Sequence, residues 1–322
     1  MAVITNNIKK RFIRDYNLPI TNLETSDFLY FIDLYDDLFD TKKKYRLLVE
    51  TINHFGDEHK FMGAFTKLRE TIIKEVSNTP EYKDLGNIVC MYKPKYQISG
   101  QNIYNPTFNG QIIGSLDLVS ANFNSLREWS TKTVFDAKDY NEFISKFTDI
   151  EYFRQSKQLR QIIFGNLNPK KQQSIQKSIL GEISDRLIDN TELFETVVEN
   201  KQTDELPFRL AKAGTDELLI LQIPDFLNNN LLKFSEAIKY ALPPKYKSFI
   251  KIEFFKLVQI HPEKSYFAKE YVIGDKQVEF KNVPSLFYPQ VFKHYFNMDN
   301  IREADVVFSH EGCKAKFIEK IY

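Results

Sequence analysis

Apolar residues recur at helical spacing through the first quarter of the chain. Phe28, Phe31, Ile32 and Tyr35 follow a Thr25/Ser26 cap candidate, then come Leu47, Leu48 and Ile52, then Phe61, Phe65, Leu68 and Ile72. The pattern predicts helices over 25–76, closed by Asn78-Thr79-Pro80. Residues 92–111, rich in Tyr, Asn, Pro and Gly, read as loop with short extended pieces. Ile112–Leu118 is a short apolar run holding an acid, which suits a buried strand, and 121–129 return to helical spacing. Two long helical stretches, 139–164 and 170–198, are separated at Asn168-Pro169. From Leu206 to Ile223, two apolar runs flank Ala213-Gly214-Thr215-Asp216, which predicts a β-hairpin with Asp216 at its bend. Residues 226–241 read as helix, and Ile250–Ile260 as strand. Residues 266–281 read as a second hairpin turning at Gly274-Asp275, and 285–322 are mixed.

Taken together these elements give an α+β chain in three consecutive regions. They are a helical region over 1–100, a sheet-and-helix region over 101–225 with a helical insertion at about 130–205, and an α+β region over 226–322. Hydrophobic residues make up 43% of the 322, enough for a packed core. Net charge is +1, without the overall basic excess common in nucleic-acid binders, but basic residues concentrate at 154–177 and 233–256 and acids at Asp33, Asp36, Asp37 and Asp40. Cys90 and Cys313 stand apart from any metal-binding spacing, which suits a reducing compartment. The opening residues lack an apolar signal core and no stretch reaches ~18 apolar residues, so the expectation is a soluble intracellular protein without a membrane partner.

Three segments carry candidate chemistry. Asp117 sits at a strand end, where a desolvated carboxylate calls for a cation or donor. In FRQSKQLRQIIFG, Lys157, Arg160 and Phe164 fall at i, i+3 and i+7 and share one helix face. Thr215-Asp216-Glu217 places a second acid at a hairpin bend. Transfer of a nucleotide to a 3′ hydroxyl uses such a set: fixed carboxylates for two metal ions, cations for the triphosphate, and a flat ring for the base.

In this order the segments resemble the three signature motifs of palm-domain polymerases, most closely the DNA polymerase A family. The residues are Asp117-Leu118-Val119-Ser120-Ala121-Asn122, then Arg160 with Phe164-Gly165, then Thr215-Asp216-Glu217-Leu218-Leu219-Ile220, within about 112–223. The resemblance implies a polymerase-like palm built on an antiparallel sheet, with a fingers-like insertion and a thumb or nucleic-acid clamp at the C-terminus. By the same resemblance Asp117, Asp216 and the Leu118 carbonyl would hold Mg²⁺ or Mn²⁺, and Glu217 would assist. Lys157 and Arg160 would hold the triphosphate, Phe164 would pack on the nucleotide, and Asn122 would stand beside the sugar. Partners would be a primer–template, nucleoside triphosphates and other replication proteins, in a virus, phage or mobile element.

The sequence departs from that family at Asn122 for Glu, Ser156 for Arg, Asn168 for Tyr and Thr215 for His. Three alternatives therefore stand beside a templated polymerase: a primase or untemplated transferase, a catalytically degenerate palm acting as a nucleic-acid-binding or accessory protein, and an unrelated soluble α+β protein whose matches are chance. Tyr35-Asp36-Asp37-Leu38 spells a reverse-transcriptase hairpin motif, but its helical surroundings make it an acidic helix face. His54 with His59, and His310 with Cys313, lack the company a metal site needs. Lysines and aromatics interleaved over 245–281 suggest a groove for nucleic acid.

Overall fold

The structure is a computed structural model, described here for residues 4–87, 92–129, 136–190, 194, 207–274, 277–298, 300–310 and 313–317. Cys90 and Asp275 lie outside them. The chain forms two compact units, each assembled from separated segments. The first comprises 1–76, 144–167 and 282–322, and the second 77–143 and 168–281.

The first unit is mainly helical. It contains α1 (Asn6–Tyr16), α2 (Thr25–Leu34), α3 (Asp36–Phe39), α4 (Thr41–Phe55) and most of α5 (Glu58–Asn78). Tyr35-Asp36-Asp37-Leu38 spans the α2–α3 junction, so it is helical as expected, with the Tyr35 ring fully buried and Asp36 3.5 Å from the Lys42 amine. The stretch 139–164 is not one helix. A short α6 (Pro80–Asp84) and then α7 (Ala121–Trp129) precede it, and it breaks into α8 (Tyr140–Ser145), α9 (Glu151–Gln155) and α10 (Lys157–Gly165). The physical cause of the last break is Ser156. Its hydroxyl accepts from the Leu159 amide at 2.9 Å as the α10 N-cap, and donates to buried Asp15 of α1.

The second unit holds a six-stranded antiparallel sheet. Its strands are β1 (Ile112–Leu118), β2 (Arg209–Ala213), β3 (Glu217–Leu221), β4 (Ile250–Gln259), β5 (Phe267–Tyr271) and β6 (Val278–Lys281), in the spatial order β2-β3-β1-β4-β5-β6. Between β1 and β2 the chain runs through α7 to α10 and then α11 (Pro169–Asp189), and between β3 and β4 through α12 (Asp225–Asn228) and α13 (Leu231–Ala241). The first four strands thus form a β-α-β-β-α-β unit with β1 and β3 side by side at its centre, the split βαβ arrangement. Residues 250–281, which the sequence reading sets in a separate region, complete this same sheet, because β4 pairs along the whole length of β1.

Register assigns the two faces. Leu116, Leu218 and Ile252 stand across from one another on one face, and there Phe234 of α13 meets Phe254 with ring centroids 5.5 Å apart. α7 and α11 pack together on the same unit. Gly114 is required here: a Cβ would lie 3.0 Å from the Phe254 ring and 3.1 Å from Ile220. On the opposite face Ile113, Leu219, Phe255, Leu257 and Phe267 form a small core with Ile103 and Phe108 from the preceding loop. In the first unit the chain closes with α14 (Tyr288–Tyr295) and the hairpin β7 (Val307–His310) and β8 (Cys313–Lys316).

Candidate active site

The loop-covered face of the sheet is apolar at one end and charged at the other. Alternation along β1 carries Ile113 into the small core, then Ser115 and then Asp117 outward along the same face. Opposite Asp117 stands Glu217, the first residue of β3, and opposite Ser115 on the other side stands Glu253 of β4. The Leu118 amide donates to the Asp216 carbonyl at 3.0 Å, so the β2–β3 turn is tied to the end of β1. The turn that carries Asp216 therefore lies at the end of β1 that carries Asp117, with Glu217 directly opposite Asp117. The next residue after β1 is pinned too: the Val119 amide donates to the Phe249 carbonyl at 2.8 Å, and Ser120 adopts φ 45° before α7 begins.

Electrostatics single out Asp117. Its burial, reinforced by Glu217, Asp216 and Glu253, pushes its carboxyl from 3.8 up to about 6, against a smaller opposing pull from Lys269. Burial also raises Asp216, with Glu217 adding to the effect and a backbone hydrogen bond opposing it. Glu217 is held by its neighbours: the Ser115 hydroxyl donates to it at 2.6 Å and the Lys269 amine lies 3.7 Å away. Lys269 is 7% exposed and its amine rests 4.3 Å from the centre of the Phe255 ring. Burial lowers its pKa, with Glu217 opposing. Glu253 is paired with Lys251.

A divalent cation fits this chemistry, because both carboxylates are partly desolvated and Asp117 is also crowded by neighbouring acids, a cost that a nearby positive charge relieves. Among the described residues no three His, Cys, Asp or Glu side chains converge as a ready-made cage.

A second set of contacts supports both motif segments. Gln176 of α11 is 2% exposed; its amide nitrogen donates to the Asn122 side chain at 3.0 Å, and its carbonyl oxygen accepts from the Thr215 hydroxyl at 3.4 Å. The positions that depart from the polymerase pattern at Asn122 and Thr215 are thus joined through one glutamine.

The helix segment belongs to the other unit. Lys157, Arg160 and Phe164 all belong to α10 of the first unit, whereas the two aspartates belong to the second. Lys157 is exposed and Arg160 half-buried. Phe164 is 0% exposed, so its ring has no open face for a base; in this conformation it is a core residue. Of the aromatics expected to line a nucleic-acid groove, Tyr271 is half-buried and the others are core residues as well. Tyr246, Phe249, Phe254, Phe255, Tyr266 and Phe267 are each under 9% exposed. Lys245 is engaged by Glu128 at 3.2 Å and Glu182 at 3.0 Å.

Sequence reasoning did not single out Ser115, Gln176 or Glu253, and took Lys269 for a lysine of the nucleic-acid groove and not for a neighbour of the acids. The one available signal was alternation: Ser115 precedes Asp117 by one strand repeat, and Glu253 and Lys269 each interrupt an apolar run. Cross-strand neighbours themselves are set by register, which those runs do not reveal. Among the described residues no helix is long and apolar enough to cross a membrane. No family model matches the sequence, and no curated protein is similar to it.

Proposed function

We propose that the second unit is a palm-type nucleotidyl-transferase domain that adds nucleotides to the 3′ end of a primer, with Asp117 and Asp216 holding the divalent cations. The observation that carries this reading is the split βαβ sheet, which sets Asp117 at the end of central β1 beside the Asp216 turn leading into central β3. When bound, the cations would activate the attacking hydroxyl and stabilise the leaving pyrophosphate.

The protein's own residues supply the rest. The Asp117 carboxylate, poorly solvated and surrounded by acids, is unstable as a bare anion and is a strong cation ligand. Ser115 and Lys269 orient Glu217 at the flank of the pair. Gln176 fixes Thr215, and with it the turn that carries Asp216, against the helix that carries Asn122.

Lys269 also favours a second reading, a degenerate palm that binds nucleic acid without catalysis, because it places a protein cation among the acids. Primer extension separates the two. A labelled primer–template is offered dNTPs and NTPs in separate reactions with Mg²⁺ or Mn²⁺. Metal-dependent extension with one sugar supports the transferase, and the accepted sugar shows what Asn122 permits. Tight primer–template binding without extension supports the degenerate palm.

A further inference from the structure

Behind the β2–β3 turn, wholly within the second unit, lies a cavity of about 330 Å³. Its walls come from α11, from the hairpin and from the segment that starts at Tyr92, and include Lys177, Lys212, Thr215, Tyr92 and Pro94. The volume suits a ligand of nucleotide size.

This wall is built rather than incidental. The Tyr92 amide donates to the Ser178 hydroxyl at 2.9 Å, and the Tyr92 hydroxyl donates to Asp185 at 2.6 Å. Asp185 is 1% exposed and also accepts from the amides of Lys95 at 2.7 Å and Tyr96 at 3.3 Å, which pins the whole segment to α11. Gly181 permits the close approach, since a Cβ there would sit 2.3 Å from Pro94. Tyr92, anchored at its hydroxyl, is nevertheless 37% exposed as a residue.

The chemistry of the walls is two-sided. Lys177 is exposed and Lys212 half-buried, and neither has a carboxylate within 4.0 Å among the described residues. Two amines with no carboxylate within 4.0 Å among the described residues, together with the Ser178 hydroxyl, suit a phosphate. A fixed, open tyrosine ring beside them offers a stacking surface for a base.

We infer that this cavity is a nucleotide site in which Lys177 and Lys212 take a phosphate and the Tyr92 ring takes the base. The ligand is either a free nucleoside phosphate or one nucleotide of a single strand; both present the same chemistry. The inference is independent of the proposed reaction, since neither catalytic aspartate lines the cavity.

Equilibrium binding of fluorescent dATP and of a fluorescent ten-nucleotide single strand, both in EDTA, tests it. Wild type should bind at least one probe, and inorganic phosphate should compete. Binding of the strand alone identifies a strand site; binding of dATP alone identifies a free-nucleotide site. Lys177→Ala/Lys212→Ala should weaken binding at least tenfold, Lys177→Arg/Lys212→Arg should retain it, and Tyr92→Leu should weaken it about fivefold or more. Asp117→Asn/Asp216→Asn should bind like wild type, so a failure of catalysis and a failure of this site are told apart. The inference is overturned if wild type binds neither probe, or if the double alanine variant, shown folded by circular dichroism, binds as tightly as wild type.

Discussion

Replacing Asp117 by Asn should make the metal-free protein more stable, and the gain should depend on pH in a defined direction. Burial and neighbouring acids raise its carboxyl from 3.8 in an ordinary setting to about 6 in the folded chain. Between those values the folded state binds the extra proton more tightly than the unfolded state does. Stability therefore falls as pH rises through this window, and above pH 6 the full cost of the charged carboxylate is present. A shift of about 2 units corresponds to roughly 3 kcal/mol. Because Asp117 is only half-buried, solvent screening reduces this to about 1–2 kcal/mol. Urea unfolding followed by tryptophan fluorescence measures it, since the single tryptophan, Trp129, lies on α7 of the same unit. Asp117→Asn should exceed wild type by about 1–2 kcal/mol at pH 7.5 in EDTA, with the difference shrinking as the pH approaches 4. Mg²⁺ should stabilise wild type and not the variant. A variant less stable than wild type at pH 7.5, or a difference that does not change with pH, would refute the electrostatic account of the site.

Three further outcomes follow from the packing. Gly114→Val should cost about 1–3 kcal/mol by crowding Phe254 and Ile220, read as a lower urea midpoint at unchanged slope. Gln176→Leu should lower the extension rate about tenfold or more while the protein stays folded, because the helix bearing Asn122 and the turn bearing Asp216 lose their shared tie; an unchanged rate would show that the tie is dispensable. Asp185→Ala should destabilise by about 2–4 kcal/mol in urea unfolding, since three donors lose one buried acceptor.

The sequence made the local elements legible where one period dominates. The apolar run with a single acid at Ile112–Leu118, the bend at Gly214-Thr215-Asp216 and the helices over 25–76 appear as read. What it concealed depends on partners far along the chain. Ser156 splits a continuous helical pattern by capping α10 and bonding to Asp15, 141 positions away. Ile250–Ile260 is plainly strand-forming, but its place beside β1 follows from register and not from its own residues. For Phe164, spacing gave the helix face correctly and exposure wrongly, because a 3.6-residue period marks a face without saying what covers it. Asp117 and Asp216 were visible because a strand end and a hairpin bend are local features. Glu253 and Gln176, and the place of Lys269 beside the acids, were not, because only the folded sheet brings them near.

The central claim is that Asp117 and Asp216 act together on one bound nucleotide. Single-turnover primer extension with Mg²⁺, using wild type, Asp117→Asn, Asp216→Asn and the double variant, tests it most directly. Residues that act as a unit lose nearly everything on the first substitution. Each single variant should therefore fall about as far as the double variant, with primer–template binding unchanged. Extension at the wild-type rate by either single variant would contradict the account.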